Sequence, residues 1–468
     1  MPITFTILRW GSVLGLGLLL GGCVLAPKGL TEEQARLDAA GAPYEQPHDQ
    51  RQLPELPPEP AWQDLLHRAF LANGDLEAAY FEWKAALARV QMAAGYPNTN
   101  LSLGFEYMFS AERMKSWDRS TFSAQPDPMQ SLAFPTKVAQ AGKRALEQAR
   151  ATGFRFAAKK FDIQRKVLEQ YLDYALMAEK LRIQQSNVSL LQLLTETATS
   201  RVRAGGNQQD LLKAQIQQRL AENELATMQS QLHAMRAMLN GMLARPADAP
   251  LPVPRTLPAP RPLPADDATL IAVAVDANPE LAALARDVAG RKDAIELARM
   301  QYIPDINPIA GFTGNISQFA GAMVTVPMAI PMIRGQIKET KAMLAATEAM
   351  ARQTRSERGA SFVAALVAIR NAERQTHLLE QIILPKAEQV LTSSRQAYAT
   401  GSISFIELID TQRTLLEVRQ MIAETKIARE KQLAEIESLA GVDIETLAAP
   451  TTRPTTAPQS TNHQGRES

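Results

Sequence analysis

Two segments of about sixty residues each carry the spacing of apolar residues that is typical of helices packed along their whole length. Residues 142–202 contain no proline, and residues 335–398 contain only Pro385. A helix of about sixty residues is a rod roughly 90 Å long, and seven-residue spacing favours coiled-coil packing. The pattern therefore predicts two rods that need partners along their length, the second kinked at Pro385. The positions that show this spacing include Val167, Tyr174, Leu181 and Val188.

Shorter stretches between the helical segments alternate apolar and polar residues, as strands do. Residues 101–109, LSLGFEYMF, show this alternation over a length that suits a tilted membrane strand. We expect its return strand at 129–135 and a second hairpin with strands at 305–313 and 322–330. Lipid does not tolerate open sheet edges, so four strands per chain would require several chains for closure. Two soluble hairpins packed on helices are the alternative.

The chain repeats one plan, and each half is predicted to contain a helix, two strands, a long helix, a break and a final helix. The matched positions are Asn73 with Asn278, Leu76 with Leu281, Pro97 with Pro304, and Gly104-Phe105 with Gly311-Phe312. Prolines exclude helix between the halves and favour an extended linker. We therefore expect a first repeat at 61–244 with a β-hairpin at 100–135, a Pro-rich linker at 245–265, a second repeat at 266–445 with a β-hairpin at 305–330, and a disordered tail at 446–468.

The first residues predict export. Arg9 precedes an apolar run at 11–20 that is too short and too rich in glycine to span a bilayer as a permanent helix. The run ends in LGGC, which resembles the lipobox of bacterial lipoproteins, and Cys23 is the only cysteine in the chain. We expect residues 1–22 to be a lipoprotein signal peptide.

Cys23 is therefore expected to carry lipid, palmitate included, and residues 23–60 are expected to be a lipid-anchored linker. A lone cysteine in an exported protein cannot form an internal disulfide, which leaves a free thiol or a covalent attachment. Val24 stands directly after Cys23, at the position where lipoproteins retained at the inner membrane typically carry Asp. By resemblance to that sorting rule, the destination is the cell outer membrane.

Composition excludes other classes of protein. Fifty Lys and Arg against 49 Asp and Glu give a net charge of +1, which does not indicate nucleic-acid binding by bulk charge. The five histidines do not show the spacing of metal ligands. The segment AGKR at 141–144 lacks the upstream glycine and the following Ser or Thr of a phosphate-binding loop. No nucleophile, base and orienting group lie near each other in the sequence. We expect neither catalysis nor a bound metal or cofactor.

The sequence resembles the TolC-type outer membrane factor family over roughly residues 62–442. The features that carry the resemblance are the repeats, the YPN and YIP entries to the strands, and the segments VPMAIPMIRGQ and YATGSISFIELIDTQR. YPN with GKR also resembles its heavy-metal cation efflux branch. The resemblance implies a mainly α fold with a small membrane β part. Three chains would form a twelve-stranded β-barrel, four strands from each, continued by a trimeric α-barrel of long helical hairpins.

The resemblance also assigns the two helix breaks to hairpin tips at the periplasmic end, where the family narrows to a gate. Gly205, Gly206 and Gly401 are expected at the turns. Tyr398, Glu407 and Asp410 match the spacing of the family's second-half motif, whereas Ile403 stands where an arginine can join the gate. Asp210 matches the acidic position of the family's first-half motif if Ala204 stands where the family has glycine. Otherwise the match needs a one-residue gap.

Carboxylates three residues apart share a helix face, and three-fold symmetry would turn each into a ring that favours cations. We expect Asp210, Glu407 and Asp410 to form the aperture and Tyr398 to help hold it shut. The structural alternative is that Glu407 and Asp410 cap and solvate a helix start.

The expected function is passive exit through the outer membrane from a periplasmic adaptor and an inner-membrane pump, a proton-driven one of the RND type. A lipid-anchored coiled-coil adaptor and a type I secretion duct are the alternatives.

Overall fold

The computed structural model describes residues 25–443 apart from 97–100, 110–113, 127–131, 264–266, 268–269 and 272–275. The expected signal peptide, Cys23 and the tail at 446–468 lie outside the described residues. In this part of the chain, no helix is both long enough and apolar enough to cross a membrane.

The described chain is mainly helical, with one small sheet. The first half contains α1 (Leu30–Gly41), α2 (Trp62–Ala72), α3 (Gly74–Ala94), β1 (Leu101–Tyr107), β2 (Ser120–Pro126), α4 (Pro135–Arg203) and α5 (Gln208–Met242). The second half contains α6 (Pro279–Met300), β3 (Asp305–Thr313), β4 (Ser317–Thr325), α7 (Ile330–Leu378), a π-helical turn (Leu379–Ile383), α8 (Leu384–Thr400) and α9 (Phe405–Ala440). From α3 and α6 onward, the two halves run through the same order of elements.

Local sequence explains where these elements begin. The Asn73 side chain accepts hydrogen bonds from the N–H groups of Asp75 and Leu76, and so caps α3. Asn278 caps α6 by accepting the N–H of Leu281. The residues matched between the two halves therefore start corresponding helices.

The long helices are longer than the sequence predicts. Helix α4 runs for 69 residues without a break, and α7 begins at Ile330 rather than near 335. Near Pro385 the second rod departs from α-helical geometry, because a π-helical turn precedes the proline and the Leu384 N–H bonds to the Leu379 carbonyl oxygen.

The four strands form one antiparallel sheet in the order β1-β2-β3-β4. Strand β3 has the bounds that the sequence predicts. The return strand predicted at 129–135 is wrong in the part that the structure describes, residues 132–135. The return strand is Ser120–Pro126, residues 132–134 are irregular, and α4 begins at Pro135. Strand β4 is Ser317–Thr325 rather than 322–330, because the chain reverses within the short turn after Thr313.

The two faces of the sheet differ in polarity. Phe105 pairs with Phe122, which pairs with Phe312, and the last two rings stack with centroids 5.1 Å apart. By register, this face carries Leu103, Phe105, Phe122, Ala310, Phe312 and Val324, with Gln318 as a polar member in β4. The opposite face is polar in β1 and β2, where it carries Ser102, Glu106, Ser123 and Gln125, but in β3 and β4 it mixes Asn307 and Ser317 with Ile309, Phe319 and Met323. Leu103 is 76% exposed in the single chain. Trp117 lies against part of this face, with ring centroids 5.9 Å from Phe122 and 6.1 Å from Phe312. The apolar face is therefore only partly covered within the described residues of one copy.

The N-terminal segment is more than the linker expected at 23–60, because α1 packs into the main hydrophobic core with α3 and α4. Buried Glu33 accepts a hydrogen bond from Trp83 Nε1 at 3.1 Å and pairs with Arg36 at 2.8 Å. The segment is thus a docked part of the fold. In the Pro-rich linker, residues 251–263 form no helix or strand, as predicted from their prolines.

Candidate functional site at the hairpin tips

The two long helices reverse direction through turns of the same backbone geometry. Gly205 and Gly401 have φ values of 91° and 79°, in the left-handed region that favours glycine. The next residue in each turn donates its N–H five residues back, from Gly206 to the Arg201 carbonyl and from Ser402 to the Ala397 carbonyl, both at 2.8 Å. This is the Schellman arrangement that ends many helices. The three glycines expected at the turns lie there.

The helices that follow the two turns, α5 and α9, both start with side-chain caps. The turn before α5 is one residue shorter than the turn before α9. Asn207 caps α5 by accepting the Gln209 N–H, and Ser404 caps α9 by accepting the Glu407 N–H. Counted from these caps, Asp210 and Glu407 both occupy the third helical position. Asp210 therefore corresponds to Glu407 through a one-residue gap, since Gly205 and not Ala204 takes the left-handed conformation.

Glu407 serves as part of the helix cap. Its carboxylate accepts the Ser404 N–H at 3.0 Å, while the Ser404 hydroxyl accepts the Glu407 N–H at 3.3 Å. This reciprocal pair is a capping box, and it satisfies two N–H groups at the start of α9. Asp410 lies one turn further along the same helix and is exposed. The chain therefore presents Asp410 to solvent and holds Glu407 against the backbone.

Tyr398 is a core residue of the tip. It is 2% exposed and packs edge-on against Phe405 with ring centroids 5.7 Å apart. Its cluster also contains Leu194 and Ala198 of α4. Burial raises the pKa of Tyr398, the nearby Asp210 carboxylate raises it further, and Arg201 opposes these effects. Tyr398 and Asp210 are thus close, while Glu407 and Asp410 lie at the start of α9.

Arg201 is the tip residue that sequence reasoning missed. Its guanidinium carbon lies 4.4 Å from the centroid of the Tyr398 ring, and its Nη1 donates to the Tyr398 carbonyl oxygen at 2.7 Å. A cation over an aromatic face is a favourable electrostatic contact. Ile403, where the family can have arginine, instead packs against the apolar cluster of the tip. The basic RVR at the end of α4 was the available signal, but its partner is almost two hundred residues away.

The tip can hold two hairpins together and present carboxylates near its end. Apolar contacts, the Arg201 contact with Tyr398, and the two capped turns fix the relative positions of α4, α5, α8 and α9. Across the described residues, no three His, Cys, Asp or Glu side chains cluster in a way that could hold a metal ion. The tip therefore combines packed hairpins with the exposed carboxylates of Glu407 and Asp410.

Residues 270–442 match the family model described as outer membrane efflux protein. The second half of the chain is therefore similar to the outer membrane efflux protein family. This match covers α6 to α9 and includes the second hairpin tip with Tyr398, Glu407 and Asp410.

Two relatives extend the similarity across most of the chain. The cobalt-zinc-cadmium resistance protein CzcC of Cupriavidus metallidurans is 23% identical over 356 residues, which cover 74% of this chain and 82% of CzcC. The pyoverdine export outer membrane protein OpmQ of Pseudomonas aeruginosa is 23% identical over 450 residues, which cover 89% of this chain and 93% of OpmQ.

A solved structure shares the fold of this chain. A structure of CusC, from a study of its folding and transmembrane channel formation, superposes with a TM-score of 0.67 at 16% identity, covering 81% of this chain and 92% of that one. The similarity supports the mainly helical architecture with a small sheet.

Proposed function

We propose that three copies of this chain form the outer-membrane exit channel of a tripartite efflux system, which passively conducts substrate and has no catalytic step. The observation that carries the proposal is the sheet. Its apolar face carries the exposed side chains of Leu103 and Phe105, and its outer strands β1 and β4 each pair on one side only within the described chain. Three copies of the four-stranded sheet would supply twelve strands and close these edges against lipid.

The long helices support the same arrangement. Exposed apolar side chains recur four residues apart along α5, where Leu212, Ile216 and Leu220 are all more than half exposed. A helix face of this kind needs a partner, and we propose that neighbouring copies cover it in a trimeric α-barrel.

A membrane-extraction experiment tests the channel against the alternative of a lipid-anchored adaptor. The protein is extracted from outer membranes in mild detergent and run on a denaturing gel with and without heating. A closed barrel predicts an unheated band near three times the monomer mass, which heating converts to monomer. A single monomer band in both lanes would exclude the trimeric barrel.

Lipidation of Cys23 is part of the proposal. The Leu25 N–H donates to the Ala94 carbonyl oxygen at 2.9 Å, at the end of the helix that precedes β1. Leu25, the first described residue, is thus held at the end of α3 from which the chain continues to β1. Cys23→Ser is expected to abolish incorporation of labelled palmitate while leaving the trimer band unchanged, and labelling equal to wild type would contradict lipidation.

We further propose a periplasmic adaptor and a proton-driven RND pump as partners, and metal cations as substrate. The similarity to CzcC and the acidic residues Asp210 and Asp410 near the tip support a cationic substrate, whereas OpmQ is named for pyoverdine export. Deleting the gene should lower the tolerated concentrations of Co²⁺, Zn²⁺ and Cd²⁺ severalfold, with restoration by the wild-type gene. Unchanged metal tolerance would contradict this substrate class.

A further inference from the structure

The helix ends that meet the sheet are strongly basic. The eleven residues nearest to the sheet in α3, α4, α6 and α7 are 84–94, 135–145, 290–300 and 330–340. Together these segments contain ten Lys and Arg against three Asp and Glu. The whole chain has a net charge of only +1, so positive charge is concentrated at this one level of the molecule.

Some of these cations are neutralised within the chain, whereas those of α7 are not. Lys137 pairs with Asp305 at 2.7 Å, and its side chain is 7% exposed. Arg334, Lys338 and Lys341 of α7 are exposed, and none of the three forms an ion pair within the described part of the chain. The first turns of α7 therefore present uncompensated positive charge to their surroundings.

These three cations, which we call the basic stripe, lie on one face of the first four turns of α7. At 3.6 residues per turn, Arg334, Lys338 and Lys341 are placed about 100°, 140° and 80° round the helix from Ile333. Ile333 is the buried residue of these turns and marks the side on which α7 packs against α6. Only residues 326–329 separate β4 from α7, so the basic stripe begins close to the end of the strand.

The handedness of the sheet indicates which way the basic stripe faces. The Met108 N–H donates to the Arg119 carbonyl oxygen, so residues of even number in β1 direct their backbone groups toward β2. Even residues form the polar face of β1. With that face inside a barrel, the chirality of L-amino acids makes the order from β1 to β4 clockwise when seen from the hairpin turns.

The helices follow the order of the strands to which they connect. Helix α6 leads into β3 and α7 follows β4, so α6 lies anticlockwise of α7 in the same view. A right-handed helix that runs away from the viewer turns clockwise. The basic stripe lies about a quarter of a turn clockwise from the side that packs on α6, and it therefore faces outward.

A neighbouring copy offers no counter-charge at this level. In the proposed trimer, β4 lies beside β1 of the next copy, which brings α3 of that copy beside α7. The last eleven residues of α3 contain Lys84 and Arg89 and no carboxylate. The negative charge that would balance the basic stripe must therefore come from outside the protein at this level.

We propose that the basic stripe binds the phosphate groups of anionic phospholipids in the periplasmic leaflet of the outer membrane. The proposal rests on the proposed function, because it requires the sheet to lie in the membrane. Lys and Arg beside a membrane surface are attracted to anionic headgroups, and each further basic residue strengthens the binding. The guanidinium of Arg334 can also hold two phosphate oxygens at once.

Native mass spectrometry of the purified full-length trimer tests this site. The trimer in detergent is mixed with equal amounts of phosphatidylglycerol and phosphatidylcholine, and the bound lipids are counted. Wild type is expected to retain about tenfold more phosphatidylglycerol than phosphatidylcholine. Arg334→Gln, Lys338→Gln and Lys341→Gln together are expected to abolish the difference.

The matched control removes the same residue types farther from the sheet, with Arg352→Gln, Lys213→Gln and Lys386→Gln, all at exposed positions. The control is expected to retain lipid as wild type does. Equal losses in the two triple variants, or equal retention of the two lipids by wild type, would overturn the proposal. Displacement of phosphatidylglycerol by inorganic phosphate would identify a site for free anions and overturn the assignment to lipid.

The same preparation separates this inference from the proposed function. An intact trimer whose lipid retention is unchanged in the stripe variant would overturn the lipid site alone. A protein that gives no heat-sensitive trimer would contradict the proposed function and the lipid site with it.

Discussion

At the scale of single residues, Glu407 has an observed structural role and a proposed electrostatic one. Glu407 closes a capping box with Ser404, and a lost cap costs about 1 kcal/mol. The same side chain carries one of the charges proposed for the aperture. Glutamine can keep the capping hydrogen bond without the charge, so the two roles can be separated by substitution.

Glu407→Gln and Asp410→Asn together are expected to reduce the preference of the channel for K⁺ over Cl⁻ at unchanged thermal stability, because they remove charge and preserve the cap. The reversal potential across a planar bilayer under a KCl gradient measures this preference. Glu407→Ala is expected to lower stability as well, by about 1 kcal/mol. An unchanged reversal potential in the double variant would leave Glu407 as a cap alone.

Sequence reasoning placed the tip residues but not their contacts. The spacing from Tyr398 to Glu407 and Asp410 is local, and so are the glycines that end the helices. The Arg201 contact with Tyr398 joins positions 197 residues apart, and no local pattern encodes it. The capping role of Glu407 was weighed from sequence, and its hydrogen-bond geometry appears only in the structure.

Elements were predictable where one local rule governs them. The long helices follow from apolar spacing and the absence of proline, and β3 follows from its alternation. Strand β2 was placed too late because Ser120–Pro126 contains few large apolar residues, and its position depends on pairing with β1 and β3. Strand β4 was placed too late because the turn after Thr313 is shorter than its glycines suggested.

Gly401→Ala is expected to destabilise the second hairpin by about 1 kcal/mol, because alanine is strained at the positive φ of this turn. Gly359→Ala is the matched control. Gly359 lies inside α7 with open space around it, so alanine there is expected to stabilise by up to about 1 kcal/mol. Thermal unfolding followed by circular dichroism compares the two, and equal shifts would contradict the strain argument.

At the scale of the whole molecule, the Pro-rich linker is attached to the second half by buried charges. Arg261 pairs with Glu437 at 2.7 Å, and the side chains are 14% and 1% exposed. It also lies over the Trp62 ring, with 5.3 Å between the guanidinium carbon and the ring centroid. One linker side chain thus contacts both α2 and α9.

Arg261→Met is therefore expected to lower the free energy of unfolding by about 3 kcal/mol, since it removes one partner of a buried ion pair. Arg255→Met is the control in the same linker, because Arg255 is 87% exposed and its pair with Glu59 lies in solvent. The control is expected to have little effect. Denaturant unfolding in detergent measures the free energy of unfolding of both variants. Equal losses in the two variants would contradict the stabilising role of the buried Arg261–Glu437 pair.

The most direct measurement of the proposed channel is the current through a planar bilayer after addition of the purified, unheated trimer. The proposed channel with its ring of tip carboxylates predicts discrete conductance steps with a preference for cations. A preparation that retains its trimer band and its helical content but gives no steps would contradict the exit-channel function.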